Sequence, residues 1–398
     1  MIKATGITAE YNPLHNGHVF HMEEARRLTG CDALVVAMSG DYVQRGEPAI
    51  SDKWARTGSA LASGADLVVE IPVICCLGDA GRYASAGVSL LEALGCSNIA
   101  FGSESADADQ LVRTADFLCS NKKIIADIIS ELTSDGMSYP AARAEAVSRL
   151  GGDVHIPETP NDILALEYVM SMKHAVPVPV KRSGSGYNDP LTEGRGYQSA
   201  AAVREILREG GDDAKDKCRE YVPETSLHML ADTGLTFPDE WTDVLRYSVM
   251  SMSPDEIEAC PSGGEGLANL LKKAVMEFDT WYGIISAVKS KRYTYTRISR
   301  LCMQAVLGIS RDKFTKDKPL YIRVLGFTDK GRQLLSEIKR KADCPLPVIT
   351  NINRESGLLD DEAAAMLRLD VHAADIYNLV TGRDTREFSD HRMGPVQI

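Results

Sequence analysis

The sequence predicts an α/β fold. An N-terminal Rossmann-like domain with a parallel sheet spans residues 1–210, and a mainly helical C-terminal region spans 211–398. Three observations lead there. Short apolar runs recur through the first half and are continuous rather than alternating, as in strands buried on both faces. Helical stretches separate these runs, which gives the β-α-β-α order of a doubly wound domain. Beyond GGDDAKDK at 210–217, helical periodicity dominates.

The elements follow in order. IKATGIT at 2–8 reads as the first strand, ALVVAM at 33–38 as the second, LVVEIP at 67–72 as the third and NIAFGS at 98–103 as the fourth. Helices are expected over 18–28, 53–63, 82–94 and 163–170. AVPVPVKR at 175–182 reads as a strand whose prolines favour an edge position. SGSGYNDPLTEGRGYQ at 183–198 has the composition of a mobile loop, and a helix follows over 199–208. In the second region, Leu267, Leu270, Leu271, Ala274, Val275 and Phe278 form a one-sided apolar stripe. Ile298, Leu301, Cys302, Ala305 and Val306 form another. YIRVLGF at 321–327 and PVITNI at 347–352 are β-like and flank a helix over 330–341.

Composition narrows the class. The chain has 398 residues, 44% of them apolar and 25% charged, which is ordinary for a globular protein. No apolar run suits a signal peptide or approaches the roughly 20 residues of a membrane span, so a cytosolic protein with no membrane partner is expected. The nine cysteines are odd in number, scattered and without a CxxC pair. They read as buried thiols rather than as disulfides or metal ligands, and no protein metal site is expected. Net charge is −12, yet residues 289–341 hold fifteen Lys and Arg against four Asp and Glu. That asymmetry suggests a polyanion-binding surface on an acidic body.

The chemistry concentrates in AEYNPLHNGH at 9–18, where His15 and His18 flank Gly17. A strand, this turn and a helix place both imidazoles at the carboxyl end of a parallel strand, where open α/β sheets bind ligands. The helix start offers backbone N–H groups and a positive dipole end to an anion. Gly17, lacking Cβ, lets a phosphate approach. The two histidines would add directed donors to oxygens that gain charge when phosphorus is attacked. The competing reading is that they are polar residues of a solvent-facing turn; the strand–turn–helix context favours the phosphate role. His21, one turn on, reads as a packing or surface residue.

HNGH after the first strand resembles the HxGH signature of the nucleotidylyltransferase superfamily. The longer strings AEYNPLHNGH, MSGDYVQRGEPAISDKWAR, GADLVVEIP, FGSE, PNDILALEY and VKRSGSGYND resemble the bacterial tRNA(Met) cytidine acetate ligase family. The likeness continues more loosely through RVLGFTDKGRQLL and PLPVIT. It implies an ATP-dependent enzyme that joins ATP and acetate into acetyl-adenylate, releases pyrophosphate, and transfers the acetyl group to the wobble cytidine of elongator tRNA(Met). Mg²⁺ is expected with the nucleotide.

By this resemblance the ATP site includes Ile7, Thr8, Ala9, Glu10, Tyr11, Asn12, Pro13, Leu14, His15, Asn16, Gly17, His18, Val19 and Phe20, together with Gly102, Asn161 and Arg182. His15 and His18 are the catalytic pair, acting on the α- and β-phosphates. Asn161 could instead, or in addition, cap the helix over 163–170, and Lys181 is a weaker candidate than Arg182. Lys53, Arg56, Ser199 and Arg204 are further candidates for phosphate or substrate contact. Related sequences usually carry threonine where Ala201 stands. The tRNA surface is expected on KSKRYTYTRISR at 289–300, through Lys289, Lys291, Arg292, Tyr293, Tyr295, Arg297 and Arg300. Cations there would neutralise phosphates while tyrosines stack on bases. A small-molecule nucleotidylyltransferase would also explain HxGH but leaves that basic segment idle; an RNA-binding nucleotide sensor without turnover is the third possibility.

Overall fold

In the computed structural model, residues 2–134, 137, 139–151, 154–182, 198–210, 213–313, 318–341 and 344–398 are described. Of the loop predicted over 183–198, all but Gln198 lies outside them. Among the described residues eight strands form one sheet: β1 (Ala4–Ala9), β2 (Ala33–Ser39), β3 (Leu67–Ile71), β4 (Cys96–Ser103), β5 (Val176–Lys181), β6 (Ile322–Phe327), β7 (Val348–Ile349) and β8 (Val396–Gln397). Their order is β5-β4-β1-β2-β3-β6-β7, with β8 paired to β6. Strands β1 to β5 run parallel. The chain order reverses between β1 and β4, the switch point where such sheets bind ligands. The proline-bearing β5 is at one edge, as its missing N–H donors require.

Eight helices matter below: α1 (Asn16–Thr29), α2 (Lys53–Ala62), α3 (Ala80–Ala93), α4 (Pro160–Ser171), α5 (Ala200–Glu209), α6 (Trp281–Val288), α7 (Tyr295–Val306) and α8 (Asp361–Val380). Alternate residues of β2 enter different cores. Leu34, Val36 and Met38 pack with Ile7 and Leu14 on one face, while Val35 and Ala37 join Ile99 and Phe101 on the other. Both faces are dry, which is why the strand reads as an unbroken apolar run. Helix α3 lies close on β1 because Gly87 has no side chain: a Cβ there would come within 2.5 Å of Thr8 Oγ1.

The chain beyond residue 210 is mainly helical but also completes the sheet. Strand β6 runs antiparallel to β3, and β7 and β8 pair with β6. The sheet therefore continues across the boundary expected at 210. PVITNI contributes only the two residues of β7 before a short helix, Ile352–Glu355. Helices at Ala108–Ser120, Lys122–Ser134, Tyr139–Arg149 and α8 had no counterpart in the sequence reading. Among the described residues no helix is long and apolar enough to cross a membrane.

A buried charge cluster joins the chain's last residues to its first half. Lys53 Nζ lies 2.9 Å from Glu70 Oε1, 2.7 Å from Asp390 Oδ2 and 3.8 Å from Asp41 Oδ2. Arg323 Nη1 reaches the same Asp390 oxygen at 2.9 Å. Burial alone would pull the Lys53 ammonium down, but Asp390, Glu70 and Asp41 more than reverse this and raise it. Burial pushes Asp41 up to about 6, against the pull of Lys53. Removing one partner would leave buried charge uncompensated, a loss of about 3–5 kcal/mol. Lys53→Ala is therefore expected to lower the unfolding free energy by about that amount in urea titration. A change within about 0.5 kcal/mol, typical of an ordinary surface site, would contradict the assignment.

Candidate functional site

Helix α1 begins with a reciprocal pair of bonds. The backbone N–H of Gly17 donates to His15 Nδ1 at 3.0 Å, and the backbone N–H of His15 donates to His18 Nδ1 at 3.2 Å. The two rings stack, with centroids 3.7 Å apart. A ring nitrogen that accepts a hydrogen bond carries no proton, so each neutral imidazole holds its hydrogen on Nε2. Burial first, and then Arg182 and Arg204, pull the His15 pKa from 6.5 to about 3. His18 is held well below its usual value by burial, then by His15, His21 and Arg182. The pair thus offers two neutral Nε2–H donors of fixed tautomer.

The unpaired backbone N–H groups expected at this helix start are not available. Asn16 N–H donates to Tyr221 O at 2.9 Å and His18 N–H to His15 O at 2.8 Å, while Gly17 N–H is used by His15. An anion at this turn would meet the ring nitrogens rather than the first N–H groups of the helix. Tyr11, just before the turn, sits in the left-handed region (φ 47) and presents its buried ring edge-on to His18, 5.0 Å between centroids. Such backbone costs of order 1–3 kcal/mol and persists only where packing over-determines it.

These residues line a cleft of about 330 Å³ at the switch point. Ile7, Thr8, Ala9, Glu10, Tyr11, Asn12, His15, Gly17, His18 and Phe20 are on its wall, with Gly102, Asn161, Arg182, Ser199 and Arg204 opposite or beside them. Arg204 is held by a 2.6 Å bond from Nη1 to Asn12 O. Arg182 passes over Gly102, where a Cβ would touch its side chain at 3.5 Å. Its Nη1 donates to Asn161 Oδ1 at 3.4 Å. Ser199 caps α5, its hydroxyl accepting from Ala202 N–H at 3.2 Å. Ala201 is half-buried and is not part of the cleft wall.

Asn161 does not cap α4; it lies inside the first turn, and Thr159 holds the cap position. The cap comes from the opposite loop. Glu104 accepts from Thr159 Oγ1, Asn161 Nδ2 and Asp162 N–H. Asp162 in return accepts from Ser103 Oγ and from the N–H groups of Glu104 and Ser105. FGSE and PND thus lock to each other and orient Asn161.

Several expected contacts lie elsewhere. Leu14 is in the core, and Val19 packs against it. Pro13, in a cis peptide after Asn12, is buried off the cleft. Asn16 donates from Nδ2 to Glu220 O at 3.0 Å. Lys53 belongs to the buried cluster described above and does not line the cleft. Arg56, fully buried, donates to four backbone carbonyls: Ser51, Glu10, Ser39 and Gly40. It ties together the segments leaving β1 and β2, so it holds the switch point from behind and does not line the cleft. Residues missed in the sequence include His21, Gln44, Arg45, Tyr83, Phe101, Tyr168 and Gln198, all on the cleft wall. Burial, then Arg182, lowers His21 to about 4, and its Nε2 is buried without a hydrogen-bond partner. Its spacing one turn beyond His18 was the available signal.

The basic segment divides. Lys289, Lys291 and Arg292 are exposed. Tyr293 is buried, donates its hydroxyl to Glu265 O at 2.7 Å, and has the guanidinium groups of Arg292 and Arg297 over its ring. Arg297 donates to Ser262 O and Gly263 O. Tyr295 and Arg300 turn toward the N-terminal half, bonding Glu47 and Gln44 O. The tyrosines are thus engaged internally rather than presented as free stacking faces.

A parallel-sheet switch point carrying HNGH defines a nucleotidyl transferase of the HIGH class, and the sequence profile of the HIGH Nucleotidyl Transferase family matches residues 2–391. A tRNA(Met) cytidine acetate ligase from Caldanaerobacter subterraneus subsp. tengcongensis is 36% identical over 392 residues, 95% of each chain. Another from Acetivibrio thermocellus is 34% identical, over 94% of each. The crystal structure of apo Thermotoga maritima TmcAL superposes with a TM-score of 0.91 at 32% identity, covering 100% of both chains. The same protein bound with α-thio ATP gives 0.89 at 30% identity, again over the full length of both. The chain belongs to the tRNA(Met) cytidine acetate ligase family.

The tautomers are testable without substrate. Nitrogen-15 NMR of the free protein should show His15 and His18 neutral, with hydrogen on Nε2, from pH 8 down to about 5. Depressed pKa values put protonation below that window. An imidazolium signal from either ring at pH 6.5, or hydrogen on Nδ1, would contradict the reciprocal cap.

Proposed function

We propose that the protein is an ATP-dependent ligase that activates acetate as acetyl-adenylate and transfers the acetyl group to the exocyclic amine of the wobble cytidine of elongator tRNA(Met). The observation that carries this reading is the pair of Nε2–H donors fixed beside Arg182 and Arg204 in one cleft. The names of the relatives supply the acyl donor and the RNA. In the first step an acetate oxygen attacks the α-phosphorus of ATP, the bond to the bridging oxygen of pyrophosphate breaks, and pyrophosphate leaves. In the second the cytidine amine attacks the acetyl carbonyl, AMP leaves, and the amine gives up a proton.

The division of labour follows from the charges. Both imidazoles are neutral in the free cleft, so the positive charge facing a triphosphate comes from Arg182, Arg204 and Lys181, with Arg45 on the same wall. The rings supply direction. Donors held in place before reaction stabilise developing charge without reorganisation, each worth roughly 10²–10³ in rate. The apolar side chains Phe101, Ile163, Leu164 and Val180 line another part of the cleft, suited to the adenine and ribose.

Mg²⁺ would neutralise phosphate charge. It holds on chiefly through phosphates and water in such sites. Glu10 is the carboxylate on the cleft wall among the described residues, and there no group of three or more His, Cys, Asp or Glu side chains is arranged to hold a metal.

Given ATP, labelled acetate and tRNA, the protein should release pyrophosphate and move label onto RNA. Label on neither AMP nor RNA would refute the ligase reading, and an adenylate of another metabolite would favour a small-molecule nucleotidylyltransferase. His18→Ala should slow acetate-dependent ATP–pyrophosphate exchange by roughly 10²–10³ while tRNA binding stays within about twofold. Charge reversal at the exposed Lys289, Lys291 and Arg292 should do the opposite. It should weaken tRNA binding and flatten its dependence on log salt by about 2–3, and exchange should persist.

A further inference from the structure

The turn that follows β2 carries residues of the nucleotide cleft yet is held by a helix from the far end of the chain. Residues 43–47 form a tight loop, with Gly46 N–H donating to Val43 O at 2.9 Å and Val43 N–H to Glu47 O at 3.0 Å. Gln44 and Arg45 are on the cleft wall. Gln44 is anchored there from the N-terminal side: its N–H donates to Glu10 Oε1 at 2.9 Å and its Nε2 to Gly78 O at 3.2 Å.

Helix α7 grips the other side of this loop at three points. The buried Ser299 hydroxyl donates to Gly46 O at 2.9 Å, Arg300 Nη1 donates to Gln44 O at 3.4 Å, and Tyr295 OH donates to Glu47 Oε1 at 3.3 Å. Contact is close enough to demand glycine. Gly46 has φ +85, and a Cβ there would sit 2.2 Å from the backbone nitrogen of Arg300. Tyr295 also stacks on Tyr282 of α6, at 6.4 Å between centroids, so its hydroxyl is held from behind.

We propose that Tyr295, Ser299 and Gly46 are positioning residues of the nucleotide cleft: they fix the 43–47 loop against α7 and thereby set where Gln44 and Arg45 stand relative to the phosphates. The inference deepens the proposed function and rests on it for the identity of the ligand. It also gives the inward-facing half of the basic segment a role other than RNA contact, leaving RNA to Lys289, Lys291 and Arg292. A displacement of about 1 Å in a positioning element can cost about 10²-fold, so small changes at this contact have a measurable reach.

The test uses the full chain and titrates α-thio ATP by calorimetry into wild type, Tyr295→Phe, Ser299→Ala and Gly46→Ala, with tRNA binding measured in parallel. Nucleotide affinity should fall roughly three- to tenfold for the first two variants and more for Gly46→Ala, with tRNA affinity within about twofold of wild type. In a double-mutant cycle, Ser299→Ala should add little to the combined Gln44→Ala and Arg45→Ala variant, because it acts through those two residues. Unchanged nucleotide affinity in folded Tyr295→Phe and Ser299→Ala would overturn the proposal. So would additive losses in the cycle, or an equal loss of nucleotide and tRNA binding, which would mark a general structural role. If Gly46→Ala does not fold, the two side-chain variants decide. Because binding is read without turnover, failure of wild type to exchange pyrophosphate with acetate would count against the proposed function alone.

Discussion

The site depends on one local constraint, the exchange of hydrogen bonds between the backbone and the Nδ1 atoms of His15 and His18. A histidine side chain at a helix start usually has a choice of tautomer and rotamer. Here the backbone makes the choice. Both rings must present Nε2–H, both are stacked, and burial beside arginines keeps them neutral. Two donors are thus in place before any ligand arrives, and the ordering entropy has been met by folding rather than by binding. The helix end itself contributes little by direct contact, since its first N–H groups are occupied within the protein.

That turn is held in register by groups that do not line the cleft. Arg56 donates to carbonyls of Glu10, Ser39, Gly40 and Ser51, so the segments leaving β1 and β2 cannot drift apart. Lys53, three residues away on the same helix, is neutralised by Asp390 from the chain's end, beside Glu70 of β3. Buried ions are costly to place and more costly to leave unpaired. The C-terminal strands and tail are therefore part of the nucleotide domain's stability. The second half of the chain is a structural participant in the first, not an appended module.

Much of this was legible in the sequence. Continuous apolar runs located β1 to β4 because both faces of the sheet are buried there, and the prolines of the more exposed β5 placed it at an edge. HNGH located the cleft because a β-α turn of that composition has few other uses. What escaped has physical causes. Lys53 and Arg56 look like a charged helix face, and nothing local reveals that carboxylates and carbonyls distant in sequence enclose them. Tyr293 and Tyr295 look like stacking platforms, but their hydroxyls find partners at Glu265 and Glu47 that only tertiary packing supplies. Gln44 and Arg45 are loop residues whose position is set by a helix some 250 residues away in sequence, as the 253-residue separation of Ser299 and Gly46 shows. The cap of α4 comes from Glu104, 55 residues before Thr159, so local capping rules pointed to Asn161 instead.

The most direct measurement of the central claim is a crystal structure of this chain with α-thio ATP in the cleft. Nε2 of both His15 and His18 should lie at about 3 Å from oxygens of the α- or β-phosphate, with each Nδ1 still bonded to its backbone N–H. Rings turned away from the phosphates, or phosphates bound through Nδ1 with the reciprocal cap broken, would contradict it.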